Sequence, residues 1–256
     1  MVTAPHQIST KVKERTLLER WYFTGMAIVM LAVSVAGFMP AIAHPATRRA
    51  PLSLLAAAHG IVFFAWLLLF LAQSLLAATG RVRWHRRLGL TSVVLLALIV
   101  PLSFETTAAM VRRGFDLSGD QHAGYPPPRG LDVYTASIFN FGFLLVFAIV
   151  AIAAICYRRR PEIHKRLMLF ANITLMGPPI THLIGHLGPL ALTPLKVLIP
   201  FSMFLLAGVA RDYVVAKRIH PLTAGLAIAL FLSLPIQGAV IGPSAWWHRF
   251  AAWLSQ

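Results

Sequence analysis

The chain alternates between long apolar runs and short polar stretches, and seven of the runs are long enough to cross a membrane. A spanning α-helix needs about 20 mostly apolar residues to cover the hydrocarbon core of a bilayer. The runs lack the strict apolar–polar alternation that is typical of barrel strands, so helices are predicted. The predicted spans cover residues 21–43, 52–79, 88–110, 133–157, 167–187, 195–215 and 222–241. This pattern predicts an all-α fold, a polytopic transmembrane helical bundle that forms one domain over residues 1–256.

Composition narrows the class of protein further. Hydrophobic residues make up 58% of the chain and charged residues 12%, and the mean hydropathy is +0.73. So little polar surface cannot cover a soluble globule of this length. The formal net charge of +15 would suggest nucleic-acid binding in a soluble protein, but here the basic residues lie between the apolar runs. Membrane lipids are therefore the expected partners, and a nucleic acid is not.

The distribution of basic residues predicts the orientation of the bundle. Sixteen of the 23 Lys and Arg residues fall in stretches that share one side of the membrane if the spans alternate. The positive-inside rule makes that side cytoplasmic, so we expect a multi-pass protein of the bacterial inner membrane with residues 1–20 inside and the C-terminus outside. The first span resembles a signal peptide ending in small residues at 41–43, and we interpret it as an uncleaved anchor. Cleavage would leave six spans in the same orientation.

Two of the apolar runs begin with nearly the same phrase, HRRLGL from His85 and HKRLML from His164. Each phrase follows a basic loop and an earlier apolar run, and the two histidines are 79 residues apart. This shared layout predicts a duplicated helical hairpin, with residues 52–110 and 133–187 as the two copies. Parallel repeats are normally related by an axis along the membrane normal and carry functional groups at their interface. His85 and His164 are therefore predicted to approach each other on the inner side.

Two interpretations of this inner histidine pair remain open. Each histidine is followed by two basic residues, so both could contact phosphate headgroups as interfacial anchors. Alternatively, His85 and His164 are axial ligands of a haem. The haem propionates would then meet the neighbouring basic side chains, which are Arg86, Arg87, Lys165 and Arg166.

A second set of polar residues lies at similar depth on the outer side. His59, Glu105 and His182 belong to the second, third and fifth predicted spans, about 7–11 Å below the outer surface at 1.5 Å per residue. Asn140, in the fourth span, is close to the repeat equivalent of His59. Ionisable groups at this depth are costly, tend to face the interior of a bundle and mark functional sites. Glu105 in particular needs a partner, which one of the histidines or a bound cation would provide.

The fifth span is expected to be interrupted. The run Gly177-Pro178-Pro179 removes helical N–H donors and should kink or break the helix. Carbonyl groups freed in this way are tolerated in a membrane where they line a cavity. Beyond the break, His182 and His186 are four residues apart, a spacing that can present two imidazoles to one metal ion.

Three interpretations of the outer cluster remain open. In the first, His59 and His182 hold a b-type haem between facing helices. In the second, His59, Glu105, His182 and His186 bind zinc or iron, since imidazole and carboxylate ligands suit both metals. In the third, a hydrogen-bonded Glu–His network only fixes the packing of the helices.

The segment 244–256 has the pattern of a short amphipathic helix. Its apolar stripe consists of Trp246, Trp247, Phe250, Trp253 and Leu254. Indole rings prefer the membrane–water interface, so we expect this helix to lie in the outer interface as an anchor.

The phrases at His85 and His164, with a histidine in the preceding span, are similar to those of uncharacterised bacterial inner-membrane families of haem-protein-like helical bundles. More distantly, residues 52–190 resemble the two-haem transmembrane cytochrome b family related to ascorbate-dependent reductases. That family places two histidines near each face of four core helices, which implies one haem b near each face of this bundle. The chain departs from this pattern because its fourth span has no histidine, so the fifth would supply both His164 and His182.

The leading functional expectation is an integral membrane protein that binds haem b or a metal through intramembrane histidines. Such a protein would serve in electron transfer or redox-complex assembly, with a quinone or another redox partner. One alternative is a metal-dependent membrane hydrolase, in which Glu105 or a bound metal activates water at the outer face. The other is a transporter or non-catalytic scaffold that uses the broken fifth span.

Overall fold

The computed structural model describes residues 5–47, 51–114, 132–186 and 194–256, and the regular elements of these ranges are all helical. The α-helices are α1 (Pro5–Ala43), α2 (Leu54–Ala78), α3 (Val82–Gly89), α4 (Thr91–Arg113), α5 (Val133–Cys156), α6 (Pro161–Thr174), α7 (Gly177–Gly185), α8 (Pro194–Ala216), α9 (Pro221–Ile236) and α10 (Ala245–Leu254). A π-helical turn (Gln237–Ile241) follows α9. The predicted all-α fold is confirmed for the described residues.

Seven helical segments of the described chain are long and apolar enough to cross a membrane, in agreement with the predicted spans. They are Glu19–Ala43, Leu54–Ala78, Val82–Arg113, Val133–Cys156, Pro161–Gly185, Leu195–Ala216 and Pro221–Ile241. The predicted end of the fifth span, at residue 187, lies outside the described residues. The chain thus has the architecture of a multi-pass membrane protein. Below, "inner" denotes the side that carries the basic loops before α3 and α6, and "outer" denotes the other.

Three helices begin clearly earlier than hydropathy predicts. α1 begins at Pro5, α3 at Val82 and α6 at Pro161, ahead of the predicted starts at 21, 88 and 167. The first two turns of α3 and α6 carry Lys or Arg side chains, which lower the hydropathy of a segment but are good helix formers. α3 passes into α4 through Leu90, whose backbone is itself helical. His85 and His164 therefore lie in the first turns of helices and not at the edges of loops.

The predicted break in the fifth span is confirmed. α6 ends at Thr174, and α7 begins at Gly177 with the two prolines in its first turn. At the break, the chain approaches α5 closely on one side and α1 on the other. A Cβ on Gly177 would lie 2.4 Å from the ring of Phe143, and one on Gly37 of α1 would lie 2.5 Å from the carbonyl oxygen of Pro179. Glycine at both positions lets the interrupted helix pack tightly between α1 and α5.

Five spanning segments form a closed ring. α1 packs on α2, α2 on α4, α4 on α5 and α5 on α6, and α7 returns to α1. Trp66 and Phe147 are fully buried in the middle of this ring, whereas Phe170, also fully buried, lies against Gly208 of α8. The indole Nε1 of Trp66 donates to Oδ1 of Asn172 at 3.1 Å, and its ring meets that of Phe147 edge-on. Since Trp66 lies between His59 and His85 along the chain, this packed layer separates the outer half of the ring from the inner half.

A buried ion cluster joins α8 and α9 to the inner end of the ring. The carboxylate of Asp212 accepts hydrogen bonds from Nε and Nη2 of Arg166 at 3.0 and 2.8 Å. It also accepts from Nη1 of Arg211 at 2.9 Å and from the hydroxyl of Thr223. The side chains of all three charged residues are less than a tenth exposed. Each charge therefore has an opposite charge beside it inside the protein, and the cluster joins α6, α8 and α9.

The helix α10 returns to the outer ends of α4 and α5. Its buried side consists of Trp247, Ala251 and Leu254, whereas Trp246 and Trp253 are exposed. The indole of Trp247 donates to the carbonyl of Tyr134 at 2.7 Å. The amphipathic helix expected within 244–256 is thus formed, with one part of its aromatic stripe packed on the bundle and another part facing outward.

Candidate functional site

The two histidines of the repeated phrase meet on the inner side. The ring centroids of His85 and His164 lie 6.4 Å apart, and the two ring planes are nearly perpendicular, at 84°. One ring is carried by α3 and the other by α6, so helices far apart in the chain bring them together. This approach is the one expected from the internal repeat. Both residues are half-buried.

Each of these imidazoles is held by a carbonyl group of the helix that precedes it. Nδ1 of His85 lies 3.2 Å from the carbonyl oxygen of Gln73, and Nδ1 of His164 lies 2.8 Å from that of Ala154. A carbonyl oxygen only accepts hydrogen bonds, so Nδ1 is the donor in both rings and the Nε2 atoms carry the lone pairs. Imidazoles that bind metals are commonly oriented by such a contact. Both rings are therefore prepared to act as ligands through Nε2.

Gln73 adds a further polar group beside this pair. Both polar atoms of its side-chain amide are buried, and neither has a hydrogen-bond partner among the residues that the structure describes. Its Nε2 lies next to Gly89, at the end of the helix that carries His85. Buried amides are nearly always hydrogen-bonded, so this one favours a bound group or an ordered water at the inner pair. The sequence offers one signal for this residue, a polar side chain near the inner end of an apolar span.

The basic residues that follow the two histidines have different surroundings. Arg166 is bound to Asp212 in the buried ion cluster, and Nζ of Lys165 lies 2.6 Å from a carboxylate oxygen of Glu162. The guanidinium of Arg87 lies over the ring of Trp84, and both Arg86 and Arg87 are exposed. Of the four cations expected to meet haem propionates, the two on α6 are thus engaged with protein carboxylates. The two on α3 remain the better candidates for that role.

The outer histidines share one cavity. A space of about 470 Å³ lies within the outer half of the helix ring, and both His59 and His182 line it. Most of its wall is apolar, and the polar side chains in the wall are few. Besides the two histidines they are Ser103, Thr106, Thr107, Asn140 and Thr174. Such a cavity, apolar with a small number of polar groups, is typical of a site for a small molecule or cofactor.

Neighbouring side chains orient both outer imidazoles. Nδ1 of His59 lies 3.4 Å from the hydroxyl of Ser103 on α4. The ring of His182 lies 4.6 Å from that of Phe38 on α1, measured between centroids. α2 and α7 therefore present the two histidines to the cavity from different parts of the ring. Asn140, whose amide contacts the sulfur of Met110 at 3.5 Å, adds a polar group from α5.

The other two residues of the predicted outer cluster lie outside the cavity wall. Glu105 is more than half exposed and is paired with Arg112 of the same helix, at 3.6 Å. Nε2 of His186 lies 2.7 Å from the carbonyl oxygen of Gly37, so this ring ties α7 to α1. Within the ranges that the structure describes, no three His, Cys, Asp or Glu side chains lie close enough to hold one metal ion. The structure thus brings His59 and His182 to one cavity and leaves Glu105 and His186 with other partners.

No protein-family model matches the sequence, and neither the curated proteins nor the solved structures include a significant match. Function must therefore be inferred from the two histidine sites themselves.

Proposed function

We propose that the protein is a haem b-binding protein of the bacterial inner membrane that takes part in electron transfer, with His85 and His164 as ligands of the haem iron. One observation carries the proposal. Two imidazoles from separate halves of the chain face each other at 6.4 Å on the inner side of the bundle. Paired imidazoles of this kind are ligands that a b-type haem uses.

The donor set fits a haem iron. A metal–imidazole bond is about 2 Å long, so two imidazole nitrogens on one metal are separated by roughly 4 Å at most. Ring centroids lie further apart than the nitrogens, and a centroid separation of 6.4 Å accommodates this arrangement. The Nδ1 contacts with Gln73 and Ala154 leave Nε2 of each ring as the ligating atom.

The surroundings of the pair fit the same group. The buried amide of Gln73, beside Gly89 on the helix that carries His85, can hydrogen-bond to a polar group of the ligand, and Arg86 and Arg87 can meet carboxylates near the surface. A bound haem would supply one-electron chemistry, by cycling between ferrous and ferric iron. The protein contributes the ligands and holds their rings in place, and the packed layer around Trp66 closes the inner site off from the outer half of the ring.

The alternative role of the two histidines, as anchors to lipid phosphates, finds less support. An anchor turns its polar atoms toward the headgroups, as the exposed Arg86 and Arg87 do. The imidazoles instead meet each other, and each Nδ1 is bonded to a carbonyl of the bundle. This arrangement suits a shared ligand better than two independent headgroup contacts.

The absorption spectrum tests the proposal. Protein purified in mild detergent from haem-replete cells should show a Soret band that shifts on reduction with dithionite. His85→Gly and His164→Gly should lose the band, and added imidazole should restore it in part by replacing the missing ligand. His186→Ala, which removes a histidine outside both sites, is the matched control and should keep the full band. A folded, colourless protein from haem-replete cells would refute the proposal.

A further inference from the structure

We propose that the outer cavity, lined by His59 and His182, binds the ring of a lipid-soluble quinone or quinol that enters from the bilayer. This proposal concerns a second site and does not require the inner haem. The two sites lie on opposite sides of the packed layer formed by Trp66 and Phe147.

The wall of the cavity reaches the surface that faces lipid. Ile42 on α1 and Ile61 on α2 both line the cavity, and they are 51% and 71% exposed. Exposed aliphatic side chains on spanning helices lie against lipid tails, so the mouth beside α1 and α2 opens toward the hydrocarbon region. A ligand that enters there must dissolve in the membrane, and this requirement excludes most water-soluble substrates.

The polar groups of the cavity suit a ring with oxygen atoms at two opposite positions. His59, with Ser103 close to its Nδ1, lies on one part of the wall, and His182 lies on another, carried by α7. A quinone presents two carbonyl acceptors across a flat ring, and each needs a donor when it leaves water. Imidazole N–H groups from different helices can supply these donors, and in a quinol the hydroxyl groups can donate in return.

Asn140 is a third polar contact for the ring. Its amide nitrogen lies 3.5 Å from the sulfur of Met110, which is a weak acceptor. A carbonyl or hydroxyl oxygen is a stronger acceptor than this thioether, so exchange of partners on ligand binding is favourable. Asn140 lies on α5 and gives the cavity a polar side chain from a helix other than those that carry the two histidines.

The rest of the wall fits a flat apolar ring. Phe38, Phe63, Phe64 and Phe143 all line the cavity. Aromatic side chains stack or meet edge-on with another ring at favourable energy. The volume of about 470 Å³ lies within the range of roughly 300–1,000 Å³ that is typical of small-molecule sites. The isoprenoid tail would then leave through the mouth at Ile61 into the bilayer.

Direct binding tests the proposal, with decylubiquinone and a short-chain menaquinone analogue as probes. The protein in detergent should bind one equivalent of at least one probe, measured by isothermal titration calorimetry. Organic extracts of protein purified from its natural membrane should also contain quinone in a near-stoichiometric amount. His182→Leu should weaken binding at least tenfold, because it removes a donor and keeps an apolar side chain.

Gly60→Leu is a second, steric test. Gly60 lines the cavity and has no atom within 4 Å of an added Cβ, so leucine fills the space that the ring would occupy. This variant should abolish probe binding. Gly225→Leu makes the same change at another open helical position, on α9, and should bind normally.

Two results would overturn the proposal. One is wild-type protein that binds neither probe. The other is a haem content of two per chain that falls to one in His182→Leu, because the cavity would then be a haem site. His85→Gly separates this proposal from the proposed function, since it should lose haem and still bind the probe. If the wild type binds no haem, the proposed function fails, but the prediction that the outer cavity binds quinone still stands.

Discussion

The buried carboxylate of Asp212 gives a quantitative test of how the bundle is held together. Its side chain is 1% exposed and lies between Arg166 and Arg211. Asp212→Asn keeps the shape of the side chain but leaves two guanidinium groups without their shared counter-charge. Removal of one partner from a buried ion pair typically costs about 3–5 kcal/mol, since the remaining charge is left uncompensated. We expect Asp212→Asn to lower the free energy of unfolding by about this amount.

Glu162→Gln provides the matched control, because Glu162 contacts the same arginine from the surface. Its carboxylate lies 2.8 Å from Nη1 of Arg166, but its side chain is 65% exposed. Exposed ion pairs contribute roughly 0–1 kcal/mol, since water and salt screen them. The two variants therefore change the same ion cluster, and the predicted difference between them is at least about 2 kcal/mol.

Unfolding by sodium dodecyl sulfate in mixed micelles, followed by far-ultraviolet circular dichroism, measures this difference. The midpoint for Asp212→Asn should fall well below that of the wild type, and the midpoint for Glu162→Gln should stay close to it. Equal effects of the two substitutions would refute the reasoning, because burial would then not determine the strength of the cluster.

Two further predictions concern packing and pH. Gly177→Ala should destabilise the protein by about 1–3 kcal/mol, because the added Cβ would lie 2.4 Å from the ring of Phe143. Gly225→Ala, at an open position, should not change the stability. Thermal unfolding of both variants measures the difference. Burial acts to raise the pKa of Asp132, but hydrogen bonds from the backbone and hydroxyl of Thr135 outweigh it and hold the pKa below its ordinary value. Asp132 therefore contributes stability above its unfolded pKa of about 3.9, and that stability is lost as the pH falls through the lower folded value. In Asp132→Asn, the free energy of unfolding should fall less steeply as the pH is lowered, which unfolding curves recorded at a series of acidic pH values would show. A pH dependence equal to that of the wild type would contradict this prediction.

Local patterns in the sequence were sufficient for the spans and for the break in the fifth. A spanning helix is recognised by its mean hydropathy, and the run of glycine and two prolines at 177–179 removes two successive helical N–H donors, which favours a break. The meeting of His85 with His164 agrees with the approach predicted from the two similar phrases, which place both histidines near the start of a helix. Hydropathy misplaced the beginnings of α1, α3 and α6, where polar and basic side chains extend a helix beyond its apolar part.

The partners of individual side chains could not be predicted in the same way. Helices such as α2 and α5 are apolar on every side, so their sequences do not indicate which face turns inward. A small rotation decides whether Glu105 points to the cavity or to Arg112, and whether His186 joins His182 or contacts Gly37. The role of Gln73 and the buried position of Asp212 depend on the same rotation and on helices distant in the chain.

The electron paramagnetic resonance spectrum of the oxidised protein tests the central claim most directly. Two imidazoles on one ferric haem give a low-spin signal, and perpendicular ring planes make that signal strongly anisotropic. The angle of 84° between the rings of His85 and His164 predicts this highly anisotropic signal. The signal should be lost in both His85→Gly and His164→Gly and retained in His186→Ala. A folded protein with no low-spin ferric signal, or with a signal that both glycine variants retain, would contradict the assignment of this pair as haem ligands.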